Sequence, residues 1–266
     1  MNTFQRLNFK LLRALLLFLM MTLLSACNSL SSHIKNGNMV EAQRMIDEDP
    51  EVTEQDITGA LHAAARTNNI QAIQLLIDAG ASVNKSGALS SALAANMLPA
   101  ARFLLEAGAD ANGDPEAENS PLLIAAGNQI SVALISDLIK HGADVNRQTS
   151  WGTTPLFYIA RWHPDGEGLK ELLEAGADPS IERNNGDTPL MWAIEYDNHV
   201  VAALLKKFQS DQSDWKLAQA TNTEQAYNTY LKKHKISGHR KEANLRITEI
   251  QAERDKVKIA KQIKKE

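Results

Sequence analysis

A short phrase returns four times in the middle of this chain, and its spacing limits what the chain can become. It reads Ala79-Gly80-Ala81, Ala107-Gly108-Ala109, His141-Gly142-Ala143 and Ala175-Gly176-Ala177. The glycines at 80, 108, 142 and 176 set a period of about 33 residues. A period of that length belongs to stacked units that bury their apolar faces on one another. It does not belong to one closed core.

Each phrase follows an apolar run with helical spacing, such as Ile73-Gln74-Leu75-Leu76-Ile77 or Leu169-Lys170-Glu171-Leu172-Leu173. Glycine there stops a helix, because it enters the left-handed region without a Cβ clash. Turn formers come next, in Ser82-Val83-Asn84, Asp110-Ala111-Asn112, Asp144-Val145-Asn146 and Asp178-Pro179. Thr154-Pro155-Leu156, Thr188-Pro189-Leu190 and Ser120-Pro121-Leu122 read as helix starts, with a hydroxyl cap and proline at the first helical position. Gly59 to Ala65 and Gly87-Ala88-Leu89 occupy the same phase. One unit is therefore a helix, a short turn, a second helix, a glycine stop and a loop.

The Thr-Pro-Leu starts, Ala-rich inner helices, Leu-Leu pairs and Gly-Ala-Asp-x-Asn exits resemble the ankyrin repeat. The resemblance implies an all-α ankyrin-repeat solenoid over residues 34–208. Five units begin near Glu54, Lys85, Gly113, Arg147 and Ser180, and a degenerate one lies between Ile34 and Ile46. Two departures stand out. The loop between Asn84 and Ala88 is clipped, and His163 to Gly168 makes a wider turn than the family uses.

Residues 1–26 read as a targeting segment, not as fold. Arg6, Lys10 and Arg13 precede an apolar stretch from Leu11 to Leu24, the layout of a secretory signal. The ending Leu24-Ser25-Ala26-Cys27 resembles the bacterial lipoprotein box. That resemblance implies cleavage before Cys27, the one cysteine of the chain, and a lipid on it. The alternative is an uncleaved anchor. Asn28 stands where family members held at the inner membrane often carry Asp, so the expected location is the periplasmic leaflet of a Gram-negative outer membrane. With one cysteine no intramolecular disulfide is available. Residues 27–33 would then be a short tether, reaching less than about 20 Å.

Charge marks a second boundary. Acidic residues outnumber basic ones about two to one over 27–214, and the ratio inverts over 215–266. Gln209 to Asp214 reads as a polar linker, followed by a basic helical segment, 215–266. That segment either caps the last repeat or meets an anionic surface, whether lipid headgroups or an acidic partner. It lacks the aromatic interleaving that stacks bases, so no nucleic acid is expected.

Ankyrin proteins bind partners at loop tips and at exposed inner-helix positions just before the inter-helix turn. Carried over by phase, this implies a partner surface of Ser150, Trp151 and Thr153, Arg161 and Trp162, Asn184, Asn185 and Asp187, Glu195 and Tyr196, with Arg66 in an earlier unit. Trp, Tyr and Arg dominate interface hot spots. The competing reading packs Trp162 beneath the His163–Gly168 turn.

No catalytic motif is present: no Gly-x-Ser-x-Gly elbow, phosphate-cradling loop or His-Glu-x-x-His. His163 with Asp165 and Glu167 reads as a polar turn in preference to a metal site. The expectation is a non-enzymatic, membrane-anchored protein without cofactor or small-molecule substrate, binding another protein through a concave face. The acidic array suits a basic partner. Its role would be scaffold or adaptor, or inhibitor of a secreted toxin such as a lipase, or a lipid-facing tether through its basic end.

Overall fold

The computed structural model describes residues 29–129, 131–234 and 239–263, which include helices and no strand. The signal segment and Cys27 lie outside the described residues. Two units divide the chain at Ser150.

The N-terminal unit is four helix pairs in sequence: α1 (Leu30–Lys35) with α2 (Met39–Glu48), α3 (Glu54–Arg66) with α4 (Ile70–Asp78), α5 (Ala88–Ala94) with α6 (Leu98–Glu106), and α7 (Pro121–Gly127) with α8 (Val132–Lys140). The first helices of the pairs pack in one row, α1 on α3, α3 on α5 and α5 on α7. The second helices form another, α4 on α6 and α6 on α8. Composition explains the rows. Ala60, Ala64, Ala88, Ala92, Ala125 and Ala126 are fully buried in the first row, and a methyl side chain lets helix axes approach closely. Ile73, Leu76, Leu104, Leu134 and Leu138 fill the space behind them, each contributing about 1.5–3 kcal/mol of burial.

One hydrogen-bond motif ends helices of both rows. At the end of α8 the amide of Gly142 donates to the Ile139 carbonyl and that of Ala143 to the Leu138 carbonyl, both at 3.0 Å. This satisfies two carbonyls that a helix end otherwise leaves open, and it requires the φ of +87° at Gly142. The first-row helices α3 and α5 end the same way, with Asn68 (φ 54°) and Asn96 (φ 57°) in the glycine's place. The starts are capped as their sequences imply. The Thr53 and Asp56 side chains cap each other's backbone at α3, and the Ser120 hydroxyl accepts from the Leu123 amide.

The exit asparagines do more than turn the chain. Asn112 Oδ1 accepts from the Asp144 amide (2.7 Å) while its Nδ2 donates to the Gly142 carbonyl (3.0 Å). Asn84 makes the same pair one unit earlier, with the Asp110 amide (2.7 Å) and the Gly108 carbonyl (3.5 Å). Each exit loop is thus sewn to the next. His62, expected in a bridging role, pairs through Nε2 with Ser91 Oγ on α5 at 2.8 Å.

The C-terminal unit holds α9 (Pro155–Trp162), α10 (Glu167–Glu174), α11 (Pro189–Glu195), α12 (His199–Thr221), α13 (Glu224–Lys233) and α14 (Arg240–Ile263). Thr188 caps α11 as expected, whereas Thr154 makes no cap bond and its Oγ1 is buried without a partner. The wide turn after α9 is held from below. Asn198 Nδ2 donates to the Ala160 and His163 carbonyls at 3.0 and 3.1 Å.

Two boundaries are corrected. Residues 209–214 are not a linker but the middle of α12. Their polar side chains are spent on partners downstream: the Tyr230 hydroxyl donates to Asp211 Oδ1 (2.7 Å), and His234 Nε2 pairs with Asp214 Oδ2 (2.7 Å). The tether does not extend to residue 33 either. Ser29 caps α1, whose Leu30 and Ile34 are buried.

The basic segment folds as a three-helix bundle with the end of α12. Its core is Trp215, Ala218, Tyr227, Tyr230 and Ala243. His239 stacks flat on Trp215, with centroids 4.8 Å apart. Asp214 also receives a bond from Lys233, and the hydrogen bonds from Lys233 and then His234 hold its carboxyl below the usual carboxylate range.

Candidate partner-binding site

The last turn of α9 presents Arg161 and Trp162, and the end of α11 presents Glu195 and Tyr196. The pairing of α9 with α11 brings the two ends together. Arg161 Cζ lies over the Trp162 ring at 4.4 Å and over the Tyr196 ring at 4.3 Å, with Trp192 behind at 5.9 Å. Each ring-face contact contributes about 0.5–1 kcal/mol where solvent reaches it. Trp162 and Tyr196 remain exposed, at 38% and 39%.

Beneath this cluster the rings lock together. Trp192 meets Phe157 edge-on at 5.3 Å and Tyr196 at 5.7 Å. Its indole N–H donates to Asp187 Oδ2 at 3.2 Å, and Arg183 Cζ lies 4.9 Å from its centroid. Arg183 Nε in turn donates to Thr153 Oγ1 at 3.0 Å. Bonds from the Asn185 side chain and from Trp192, with the Arg183 charge, hold the Asp187 carboxyl low. Aromatic faces, one guanidinium and exposed apolar groups are hot-spot chemistry. Met191 and Ile194 of α11 add half-exposed apolar surface.

A model of the family described as ankyrin repeats, three copies, matches residues 30–115 and 122–214. The chain belongs to the ankyrin-repeat family. Comparison with the curated proteins finds no match. Ankyrin repeats are protein-interaction modules, and the match names no enzyme family.

Within the ankyrin frame, the candidate residues separate into two sets. Arg161, Trp162 and Tyr196 converge, and Glu195 beside them is exposed. Trp151 is 67% exposed and its carbonyl accepts from the Asn184 amide at 3.1 Å. Other loop positions are occupied inside the protein. Thr153, expected at a loop tip, is buried against Arg183. Asp187 and Asn185 bond each other. Ser150 donates twice to Glu118 Oε1, at 2.9 and 2.7 Å, which holds that carboxyl low. Arg66 ends α3, exposed, in the N-terminal unit. The Trp162 ring, 38% exposed, meets the Arg161 guanidinium.

Arg183, and the tie between Asp187 and the Trp192 indole, are missing from the residues that phase alone implies. The signal was available. Arg183 and Asp187 flank the Asn184–Asn185–Gly186 loop tip, where short-range hydrogen bonding usually holds the loop.

Proposed function

We propose that the protein is an exported, lipid-anchored ankyrin protein that binds another protein through the inner-helix ends of its last two repeats, as a non-catalytic scaffold or adaptor. The observation that supports this most is the exposed Trp162–Arg161–Tyr196 cluster on a rigid base of buried rings. Anchoring rests on the Leu-Ser-Ala-Cys27 ending, with the outer membrane as the expected site. Two or three acyl chains would hold it firmly. The acidic repeats would steer a basic partner toward it.

The test is crosslinked capture from envelope extract and culture secretome with the full chain and its variants. Trp162→Ala and Arg161→Ala should each lower partner affinity at least about tenfold. Capture undiminished in both, with the fold intact, removes this placement. One basic secreted protein at stoichiometric yield makes the role that of a toxin inhibitor; a set of resident envelope proteins makes it a scaffold.

A second reading has its own observation. Residues 252–261 of α14 are exposed throughout, with Val257 and Ile259 set among Lys256, Lys258 and Lys261. A lipid-facing role predicts salt-sensitive binding to anionic vesicles, lost when the three lysines become glutamine.

A further inference from the structure

Most arginines among the described residues find acceptors. Arg44 pairs with Glu41, Arg102 with Asp137, Arg183 with Asp187, Arg246 with Glu249 and Arg254 with Glu224. Arg147 and Arg240 donate to backbone carbonyls. Arg161 does not. Its Nε is buried and has no hydrogen-bond partner. Arg66 is also unpaired, but it stands in open solvent at a helix end, where water meets its donors.

The rings of Trp162 and Tyr196 explain how Arg161 is held in this state. They meet the positive charge through their faces, but a ring face replaces few of the hydrogen bonds that a guanidinium makes. The group is half-buried and held by the two rings, and its one dried donor, Nε, lacks an acceptor. A planar fork of donors in that condition matches a carboxylate, which takes two parallel N–H bonds. Fixing it in advance removes part of the ordering cost of binding.

We infer that Arg161, seated between the Trp162 and Tyr196 rings, is a receptor for one carboxylate, an Asp or Glu side chain of the partner. This rests on the reading that the partner binds at these helix ends. The acidic surroundings sharpen the selectivity. A partner acidic overall is repelled, so the carboxylate must be an isolated one on a neutral or basic surface.

The full chain in detergent micelles, with isotope-labelled arginine, reports on this directly. The Arg161 Nε–H resonance is assigned by its loss in Arg161→Lys. N-acetyl-glutamate methylamide should shift it saturably at constant ionic strength. The glutamine analogue should bind at least about tenfold more weakly, since it leaves the guanidinium without an ionic acceptor. Trp162→Ala should weaken the glutamate probe about threefold. No shift, or equal shifts with both probes, overturns the assignment. So does inorganic phosphate binding more tightly than the glutamate probe. The two readings fail separately: partner capture lost in Trp162→Ala but kept in Arg161→Gln overturns the carboxylate receptor alone, and capture kept in both overturns the binding face as well.

Discussion

Gly152 is the residue on which the site's base closes, and replacing it with alanine should cost more than any loop glycine of ordinary setting. A Cβ there would lie 3.0 Å from the Arg183 Cα, 3.2 Å from the Glu182 carbonyl oxygen and 3.3 Å from the Asn184 nitrogen. All three neighbours are backbone, so no rotamer change relieves them. Gly176 is the internal control. Its φ of +93° is as left-handed as the +78° of Gly152, but a Cβ on Gly176 meets nothing within 4 Å. The left-handed conformation costs an L-residue about 1–2 kcal/mol in either place. Overpacking against backbone adds about 1–3 kcal/mol at Gly152 alone. The difference between the two variants is then about 1–3 kcal/mol. At an m near 2 kcal/mol/M that separates their urea midpoints by about 0.5–1.5 M. Far-UV circular dichroism reads the midpoints. The displaced strand of backbone carries Arg183, so the indole environment of Trp192 should change in Gly152→Ala and not in Gly176→Ala. Equal midpoints would refute the claim that the close approach, and not the φ angle, fixes glycine at 152.

Asn112→Ala removes both bonds that sew one exit loop to the next. Because water can reach the freed groups, it should lower stability by about 1–2 kcal/mol, read as a drop in the thermal midpoint. The carboxyl of Asp214 is held below its unfolded value of 3.8 by Lys233 and His234. Its contribution is therefore present above that value and lost as the pH falls through the depressed folded value. Unfolding of the wild type followed by Trp fluorescence should weaken from pH 5 toward pH 3, and Asp214→Asn should show a shallower dependence over that window.

The periodic part of the fold was open to reading, because its signals are local. Glycine at 80, 108, 142 and 176 ends the second helix of a pair by a conformation few other residues adopt, and the Ser-Pro and Thr-Pro starts lie at the expected phase. Asn68, Asn96 and Asp197 take the same conformation where the first helix of a pair ends, yet these residue types are common in any loop and do not announce it. The polar run at 209–214 misled for a different reason. Composition records that Asp211 and Asp214 are hydrophilic. It does not record that Tyr230 and His234, some twenty residues on, return to satisfy them. The site divides along the same line. Arg161, Trp162 and Tyr196 share the phase just before a turn, so periodicity alone brings them near one another. Thr153 shares the loop-tip phase with Trp151, but Arg183 from the following unit folds over it, and nothing in its own segment foretells that.

The long helix α12 is rooted in two cores, with Leu205 buried among the repeats and Trp215 in the terminal bundle. Ten residues separate those anchors, a rise of about 15 Å and a rotation that falls about 80° short of three full turns. The helix is thus an angular spacer, and its length sets the bearing of the basic bundle like teeth on a gear. Adding one residue between the anchors would swing the bundle by about 100°. Adding seven would carry it about 10 Å outward with its bearing nearly kept. Between the anchors, Asp211 and Asp214 are held in their chemistry by Tyr230 and His234, and the remaining positions are held chiefly in number.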